Sequence, residues 1–379
     1  MATNTSTTAT EGAEYLARSG FHKIFVLPAT ADHDALQVGY SDLGRQPTAT
    51  ADQDEPPVVL FIPGMFASRF HGLYMDVVGK KIGVRVLTVD RPGMGQSTDV
   101  KPKQRVAIWV ELVPRLLAHL GVRHVSLVSH SAGGMYLLNT LYSCRDVLSL
   151  TRPYVALLAP WVDVQHSGVK LLQAARLLVP GAAFGSWNNL VKSIATKIGP
   201  AIGSSIGTIG KWLPKSTSAS DAEFETSKNR LHWQSGYGLS TEFLDTAPDA
   251  LLGAMFAENT VGANSEAMQC LKKQGDGTWG ECEDFRVFVE KLVAQERSRT
   301  QEAKLRVKTL FAENDAIVGQ QGQQYMEACW DKSEFADVLN FTSATVDGAD
   351  HESLMIMAAV LENVLGDVVG ENAAQGRSI

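Results

Sequence analysis

Short, continuously apolar runs recur along the chain and predict the strands of a buried sheet. The first spans Val58 to Ile62 and ends in Pro63-Gly64. Runs without polar alternation are typical of strands that are covered on both faces. Two earlier segments, 21–27 and 36–44, predict a shorter pair of strands joined by a polar turn. The remaining apolar runs are at 84–89, 124–128, 154–158, 306–311 and 339–346.

Helix-length segments separate these predicted strands. Strands that alternate with helices indicate an α/β fold with a mostly parallel central sheet, because each crossover helix covers one face of the sheet. The predicted helices are at 72–80, 106–120, 134–142 and 320–331, with a closing helix within 352–369.

One interval is too long for a single crossover connection. More than a hundred residues of helical and turn character separate the strand at 154–158 from the strand at 306–311. We predict an inserted helical cap at 164–300, called the inserted segment below. The core is then 21–163 and 301–379, and the Thr/Ser-rich start, 1–20, is predicted to be a disordered tail.

The stretch HVSLVSHSAGGMYLLNTL predicts a catalytic nucleophile. A buried strand leads into Ser131, and an apolar helix follows. A serine on such a strand-to-helix turn needs small residues two positions before and two after it, and Ser129 and Gly133 are both small. Ser131 is therefore the candidate nucleophile, and His130 beside it is predicted to serve in packing.

A serine hydroxyl needs a base to accept its proton and an acid to orient that base. His351 follows the last predicted strand and is the candidate base. Asp315 follows the strand before it and is the candidate acid. Asp163, just after the strand at 154–158, is the alternative acid.

Backbone amides are needed to stabilise the oxyanion that forms when a carbonyl is attacked. One donor is expected from Ala132, directly after the nucleophile. The other is expected from Met65 in the loop after the first parallel strand, with Phe66 as the alternative donor.

Five segments resemble, in order and spacing, the motifs of the α/β-hydrolase superfamily and specifically its cap-bearing serine hydrolases. They are FIPGMFAS, VDRPGMGQS, VSHSAGGM, FAENDAIVG and ADHES. The resemblance implies an α/β-hydrolase fold and acyl transfer by Ser131, since epoxide hydrolases of this fold attack with a carboxylate at that position. Two departures are Pro63-Gly64 in place of the usual His-Gly, and Ser129 in place of glycine. The runs PATADHDALQVGYSDLG and GQQGQQYMEACW resemble hydrolases common in fungi.

Composition and charge limit the partners. The chain has 379 residues, 45% of them hydrophobic, and a formal net charge of −7, which argues against general affinity for nucleic acid. No secretory signal or spanning run is found, so a cytoplasmic location is expected. Neither clustered His/Cys ligands nor a phosphate loop is present, so we expect no metal and no organic cofactor.

The inserted segment gives the only indication of substrate. Phe184, Trp187 and Trp212 lie among aliphatic residues there, which favours a small-molecule acyl substrate of lipophilic character. Its residues 164–215 include six basic and no acidic residues, which we call the basic face. Three interpretations are open: a solvated surface, a site that attracts an anionic substrate, or a peripheral membrane contact. The sequence does not specify an oligomeric state.

The predicted function is hydrolysis of a carboxylic ester or thioester through an acyl-enzyme. Two alternatives remain open at this point. An acyltransferase, or a thioesterase that releases and cyclises a polyketide, would use the same three side chains with water excluded. A small-molecule receptor without catalysis would retain only the fold.

Overall fold

One mixed sheet runs through the molecule. The computed structural model describes residues 9–48, 55–197, 219–273, 278–299 and 303–370, and within these ranges the sheet has eight strands in the order β1-β2-β4-β3-β5-β6-β7-β8. Strand β2 is antiparallel to both of its neighbours, and the strands from β4 to β8 in this order are parallel. The strands are β1 (Lys23–Leu27), β2 (Leu36–Gly44), β3 (Val58–Ile62), β4 (Arg85–Val89), β5 (Ser126–His130), β6 (Tyr154–Leu158), β7 (Leu305–Ala312) and β8 (Leu339–Val346).

Helices lie on both faces of this sheet and continue into the inserted segment. In the described ranges they are α1 (Glu11–Leu16), α2 (Leu73–Ile82), α3 (Arg105–His119), α4 (Gly133–Ser143), α5 (Val164–Ser167), α6 (Lys170–Leu178), α7 (Trp187–Lys197), α8 (Ala219–Tyr237), α9 (Thr241–Ala257), α10 (Gly262–Cys270), α11 (Phe285–Ser298), α12 (Gly319–Trp330) and α13 (Ala358–Val369).

The apolar runs are continuous because the central strands pack against a helical layer on each face. Leu60 and Ile62 of β3 belong to a core cluster that includes residues of α3, α4, α11 and α12. Val59 and Phe61 of the same strand belong to a second cluster with residues of α2 and α13. Successive side chains of a strand point to opposite faces, so both faces of β3 are apolar. The predicted α/β-hydrolase fold, with its mostly parallel sheet, is confirmed.

The bounds of β5 differ from the predicted bounds, 124–128, and this difference matters for the site. The strand begins and ends two residues later than predicted, so that Ser129 and His130 are part of the strand. Register explains this shift, because Ser129 pairs with Ile62 of β3, and His130 pairs with Leu158 of β6. Ser131 is consequently the first residue beyond the strand.

The N-terminal segment contains a packed helix, so the prediction of disorder is wrong for residues 11–16; residues 1–8 lie outside the described ranges. Helix α1 contacts α9, and its Gly12 amide donates to Thr246 Oγ1 at 3.1 Å. Tyr15 Oη donates to Asp76 Oδ2 at 2.7 Å. These partners are distant in sequence, and a Thr/Ser-rich composition gives no sign of them.

The inserted segment packs closely onto the core. In α8, Trp233 Nε1 donates to the Ile356 carbonyl at 2.9 Å, and its ring lies 5.3 Å from that of Tyr74. Helix α11, within the predicted bounds 164–300, packs on the sheet side, where Phe288 lies 6.3 Å from the Trp330 ring. The inserted segment as predicted therefore includes one helix of the layer that covers the sheet.

Candidate active site

The predicted nucleophile occupies a strained turn. Ser131 lies between β5 and α4 with φ of 49°, in the left-handed region that non-glycine residues rarely adopt. Its amide donates to the Leu158 carbonyl at 2.9 Å, and its own carbonyl accepts from the Trp161 amide at 3.2 Å. A backbone conformation of this kind costs about 1–3 kcal/mol and concentrates at functional sites.

Gly133 is required by close contact with the neighbouring strand. A Cβ at this position would lie 2.1 Å from the Ile62 carbonyl oxygen and 2.6 Å from that of Pro63. Both atoms belong to the backbone and cannot move without displacing β3. The small residue that the turn pattern predicts after Ser131 is therefore needed for packing.

Substitution of Gly133 with alanine is expected to destabilise the protein by about 1–3 kcal/mol, because backbone must shift to remove the overlap. Thermal unfolding followed by circular dichroism measures this loss. Gly253→Ala is the matched control: Gly253 lies in α9 with open space at its Cβ position, so alanine is expected to be neutral or to stabilise the helix. Equal melting temperatures for the two variants would contradict the packing argument.

Three side chains form one hydrogen-bonded chain. Ser131 Oγ donates to His351 Nε2 at 2.8 Å, and His351 Nδ1 donates to Asp315 Oδ2 at 2.8 Å. The other carboxylate oxygen, Asp315 Oδ1, accepts from the amides of Ile317 and Val318 at 2.8 and 2.7 Å. The loops after β7 and β8 thus bring together the acid and base predicted from the sequence.

Burial strengthens the coupling between the imidazole and the carboxylate. His351 and Ser131 are 4% and 7% exposed, so water screens them little. Burial alone lowers the pKa of His351, but the carboxylate of Asp315, together with those of Glu352 and Asp350, outweighs burial and raises the pKa of the imidazole above 6.5. Burial likewise raises the pKa of Asp315, and the His351 charge together with two backbone amides reverses that effect and lowers it. Asp315 is therefore ionised at neutral pH.

The raised pKa of His351 predicts the acid limb of the pH profile. A general base must be neutral, so kcat/KM toward an uncharged ester is expected to fall as the pH decreases, with an apparent pKa above 6.5. Initial rates with p-nitrophenyl butyrate between pH 5 and pH 9 measure this limb. In Asp315→Asn the limb is expected to move to lower pH, since the charge that raises the His351 pKa is lost. An unchanged limb in that variant would contradict the coupling.

Asp163, the alternative acid, has other partners. Its carboxylate accepts from the Gln165 amide at 3.0 Å and forms ion pairs with Arg176 at 2.5 Å and Lys272 at 3.1 Å. Burial raises the pKa of Asp163, but hydrogen bonds from the Gln165 amide and Lys272 and the nearby positive charges have the larger, opposite effect. The pKa therefore lies below its ordinary value. Asp163 caps the N-terminus of α5 and, through its ion pair with Arg176, joins α5 to α6. The hydrogen bond to His351 is made by Asp315.

The candidate oxyanion donors lie beside Ser131. Within the described part of the chain, the amides of Met65, Phe66 and Ala132 have no hydrogen-bond acceptor. The Ala67 amide donates to the Gly64 carbonyl at 3.2 Å, which closes a turn whose third residue, Phe66, has φ of 66°. Gly64 lies against the nucleophile, because a Cβ there would come 3.2 Å from Ser131 Cβ. Donors without acceptors at this position are what an oxyanion site requires.

His130 does more than the packing predicted from its sequence position. Its Nε2 donates to the backbone carbonyl of His351 at 2.8 Å, and the two imidazole rings lie 4.9 Å apart. Burial lowers the pKa of His130 to about 3, so the ring is neutral at neutral pH. This side chain therefore ties the loop that carries His351 to the strand that carries Ser131.

Comparison with known proteins identifies the family. The model of the "Alpha/beta hydrolase family" matches residues 59–363, which is most of the chain. This chain belongs to the alpha/beta hydrolase family. Comparison with curated protein sequences gives no match.

Solved structures support the same fold for this alpha/beta hydrolase. A carboxylesterase of the thaumarchaeon Nitrososphaera gargenis is similar, with 14% identity, a TM-score of 0.52, and coverage of 92% of this chain and 99% of that chain. Potato (Solanum tuberosum) epoxide hydrolase I is similar as well, with 17% identity, a TM-score of 0.53, and coverage of 92% and 99%. At these identities the likeness establishes the fold alone.

The inserted segment of this alpha/beta hydrolase places apolar side chains over the loop after β3. Phe66 of that loop is buried in a small cluster with Met94 of the core. Trp187 packs against the same cluster and lies 5.9 Å from the Phe184 ring. The surroundings of the candidate oxyanion donors are therefore apolar, and Trp212 lies outside the described residues. The other members of the cluster are Val191, Met255, Phe256 and Ala263.

Two of the described basic residues at 164–215 have partners within the hydrolase. Arg176 pairs with Asp163, and Lys192 Nζ donates to the Phe256 carbonyl at 2.7 Å. Lys211 and Lys215 lie outside the described residues. Helix α6 exposes Leu177 and Leu178 at 81% and 78%. The peripheral membrane contact and the anionic substrate both stay predictions.

Neither a metal site nor a membrane-spanning helix is found among the residues of the hydrolase that the structure describes. Among them, no three His, Cys, Asp or Glu side chains are grouped so that they would hold a metal ion. None of the described helices combines the length and apolar character needed to cross a bilayer.

Proposed function

We propose that this protein is a serine hydrolase that cleaves a carboxylic ester or thioester through an acyl-enzyme. The observation that carries the proposal is the buried chain from Ser131 Oγ through His351 to Asp315, with both links at 2.8 Å. A hydroxyl, an imidazole and a carboxylate in this order are the arrangement for nucleophilic attack on a carbonyl.

The proposed reaction has two halves. Ser131 Oγ attacks the carbonyl carbon while its proton passes to His351 Nε2, and the amides of Met65 and Ala132 stabilise the oxyanion. Collapse of the tetrahedral intermediate breaks the bond to the alcohol or thiol, which leaves with the proton from His351. Water then attacks the acyl-enzyme and gives a proton to His351 Nε2. The bond from the acyl carbon to Ser131 Oγ breaks as this proton passes to Oγ, which releases the acid and restores the free enzyme.

The apolar cluster around Phe66 supports a lipophilic acyl group. Val191, Met255 and Phe256 come from the inserted segment and are 8% exposed or less, and Trp187 packs beside them. A substrate whose acyl group extends from the oxyanion donors toward these side chains would replace water at an apolar surface, which favours binding. The similarity to a carboxylesterase is consistent with this substrate class.

Labelling with a fluorophosphonate probe tests the proposal. The probe phosphonylates an activated serine and releases fluoride, so the purified protein is expected to gain one adduct, found by mass spectrometry on the peptide that contains Ser131. Ser126→Ala, which removes another hydroxyl of the same strand, is expected to label normally, and Ser131→Ala is expected not to label. An intact, folded protein that fails to react would overturn the proposal.

A further inference from the structure

Arg91 is buried between the loop after β3 and the inserted segment. It is 1% exposed, and its guanidinium donates to the Pro63 carbonyl at 2.5 Å and to the Gly64 carbonyl at 2.6 Å. On its other side it makes two hydrogen bonds to Glu266 of α10, at 2.6 and 2.9 Å. One side chain therefore joins two consecutive peptide groups of the loop to one carboxylate of the inserted segment.

The two carbonyl contacts fix the direction of the neighbouring amide. No cis peptide bond occurs among the described residues, so the Gly64–Met65 peptide is trans, and its carbonyl and N–H point in opposite directions within a rigid plane. Because Arg91 and the Ala67 amide both hold the Gly64 carbonyl, the Met65 N–H is turned away from Arg91. Rotation of this plane would remove a buried charge-assisted hydrogen bond, which is unfavourable.

From these contacts we infer that Arg91 is a positioning residue, which orients the Met65 amide toward the oxyanion by holding the Gly64 carbonyl. The inference rests on the proposed function for its catalytic consequence. Glu266 of the inserted segment holds the guanidinium in place and is itself paired with Arg105 at 2.8 Å. A carboxylate of the inserted segment therefore helps to fix the loop after β3. The guanidinium of Arg91 hydrogen-bonds Pro63, Gly64 and Glu266 and makes no hydrogen bond to Ser131, so it acts through the peptide plane.

Arg91→Lys is the variant that tests this role. Lysine keeps the charge opposite Glu266, but a single ammonium group does not have the fork that spans two carbonyls and a carboxylate. Arg145→Lys is the matched control, since Arg145 forms a buried pair of the same kind with Glu296, at 2.6 and 3.0 Å, and it has no contact with the loop after β3. If Arg91→Lys does not fold, Arg91→Gln, whose amide donates to one carbonyl, is used with the same expectations.

Hydrogen exchange of the loop gives a readout that needs no activity. Mass spectrometry of the peptide that covers residues 60–68 is expected to show at least tenfold faster exchange in Arg91→Lys than in the wild type, with no change in Arg145→Lys. Unchanged exchange in Arg91→Lys would overturn the inference, whether or not the protein hydrolyses esters.

Kinetics then separate positioning from general stability. With p-nitrophenyl butyrate, kcat of Arg91→Lys is expected to fall about 100-fold with KM within about threefold, because a lost oxyanion donor reduces kcat by about 10²–10³. Binding of a trifluoromethyl ketone, whose adduct carries the oxyanion, is expected to weaken by a similar factor. Normal kcat in Arg91→Lys, or an equal loss in Arg145→Lys, would overturn the catalytic role. A wild type that neither labels nor hydrolyses would instead overturn the proposed function, and the exchange rates would still decide whether Arg91 holds the loop.

Discussion

Replacing Ser131 with alanine is expected to lower kcat toward the best ester by on the order of a millionfold. The hydroxyl oxygen is the atom that attacks the carbonyl. When several residues act as one catalytic unit, removing any one of them loses nearly the whole rate enhancement that the unit provides. Initial rates at saturating p-nitrophenyl butyrate measure the loss. His351→Gln is expected to fall to a similar level, because without the imidazole the Ser131 proton has no acceptor within hydrogen-bond distance.

The matched control is Ser126→Ala at the beginning of β5. Ser126 is 9% exposed and lies in β5, five residues before the nucleophile. Its substitution therefore removes a comparable hydroxyl from the strand that leads to Ser131. Its kcat is expected to stay near the wild-type value. Near-normal hydrolysis by Ser131→Ala, with the protein purified free of contaminating esterase, would exclude Ser131 as the nucleophile.

The second large effect is expected for Asp315→Asn, at about ten-thousandfold in kcat. Asparagine still accepts the two backbone bonds from Ile317 and Val318 through its carbonyl oxygen, which leaves its amide nitrogen facing His351 Nδ1. A donor at that position favours the imidazole tautomer whose proton is on Nε2. That tautomer cannot accept the Ser131 proton, and the charge that stabilises the imidazolium is also missing. Steady-state rates across pH 5 to pH 9 measure both effects.

Asp163→Asn separates the two candidate acids. Asp163 pairs with Arg176 and Lys272, so the loss of its charge is expected to reduce thermal stability. Because Asp163 lies outside the hydrogen-bonded chain of the site, kcat is expected to stay within about tenfold of the wild type. A larger loss of kcat in Asp163→Asn than in Asp315→Asn would reverse the assignment of the acid.

The sequence predicts most of the sheet because local pattern and tertiary environment agree there. Strands β3 and β6 have the predicted bounds, since each is an unbroken apolar run between turn residues. Strand β8 also has the predicted bounds, although it mixes polar and apolar residues. Candidates for the nucleophile, base and acid also follow from local context, because each lies in the connection that follows a strand of a parallel sheet and such strands end at one edge. The geometry of Ser131, His351 and Asp315 agrees with that expectation.

What the sequence does not predict depends on contacts between distant residues. Arg91 and Glu266 are 175 positions apart, and nothing local to either indicates that they meet. His130 and the His351 carbonyl are separated by 221 positions. Helix α1 is stabilised by residues of α9 that follow it by more than two hundred positions. A signal was available for Arg91, because an arginine directly after a buried strand must find several acceptors.

The attachment of the inserted segment restricts how a substrate reaches Ser131. Arg69 pairs with Glu258, Arg91 pairs with Glu266, and the Gly95 amide donates to the Asn259 carbonyl at 2.8 Å. Swinging the whole segment away would separate both ion pairs and this backbone hydrogen bond at the same time.

Entry by a rigid hinge of the whole segment would therefore require several interactions to be lost together. Helix α6 contributes no buried side chain to the core, so its displacement exposes little new apolar surface. A local displacement of α6 therefore separates fewer contacts than a movement of the whole segment.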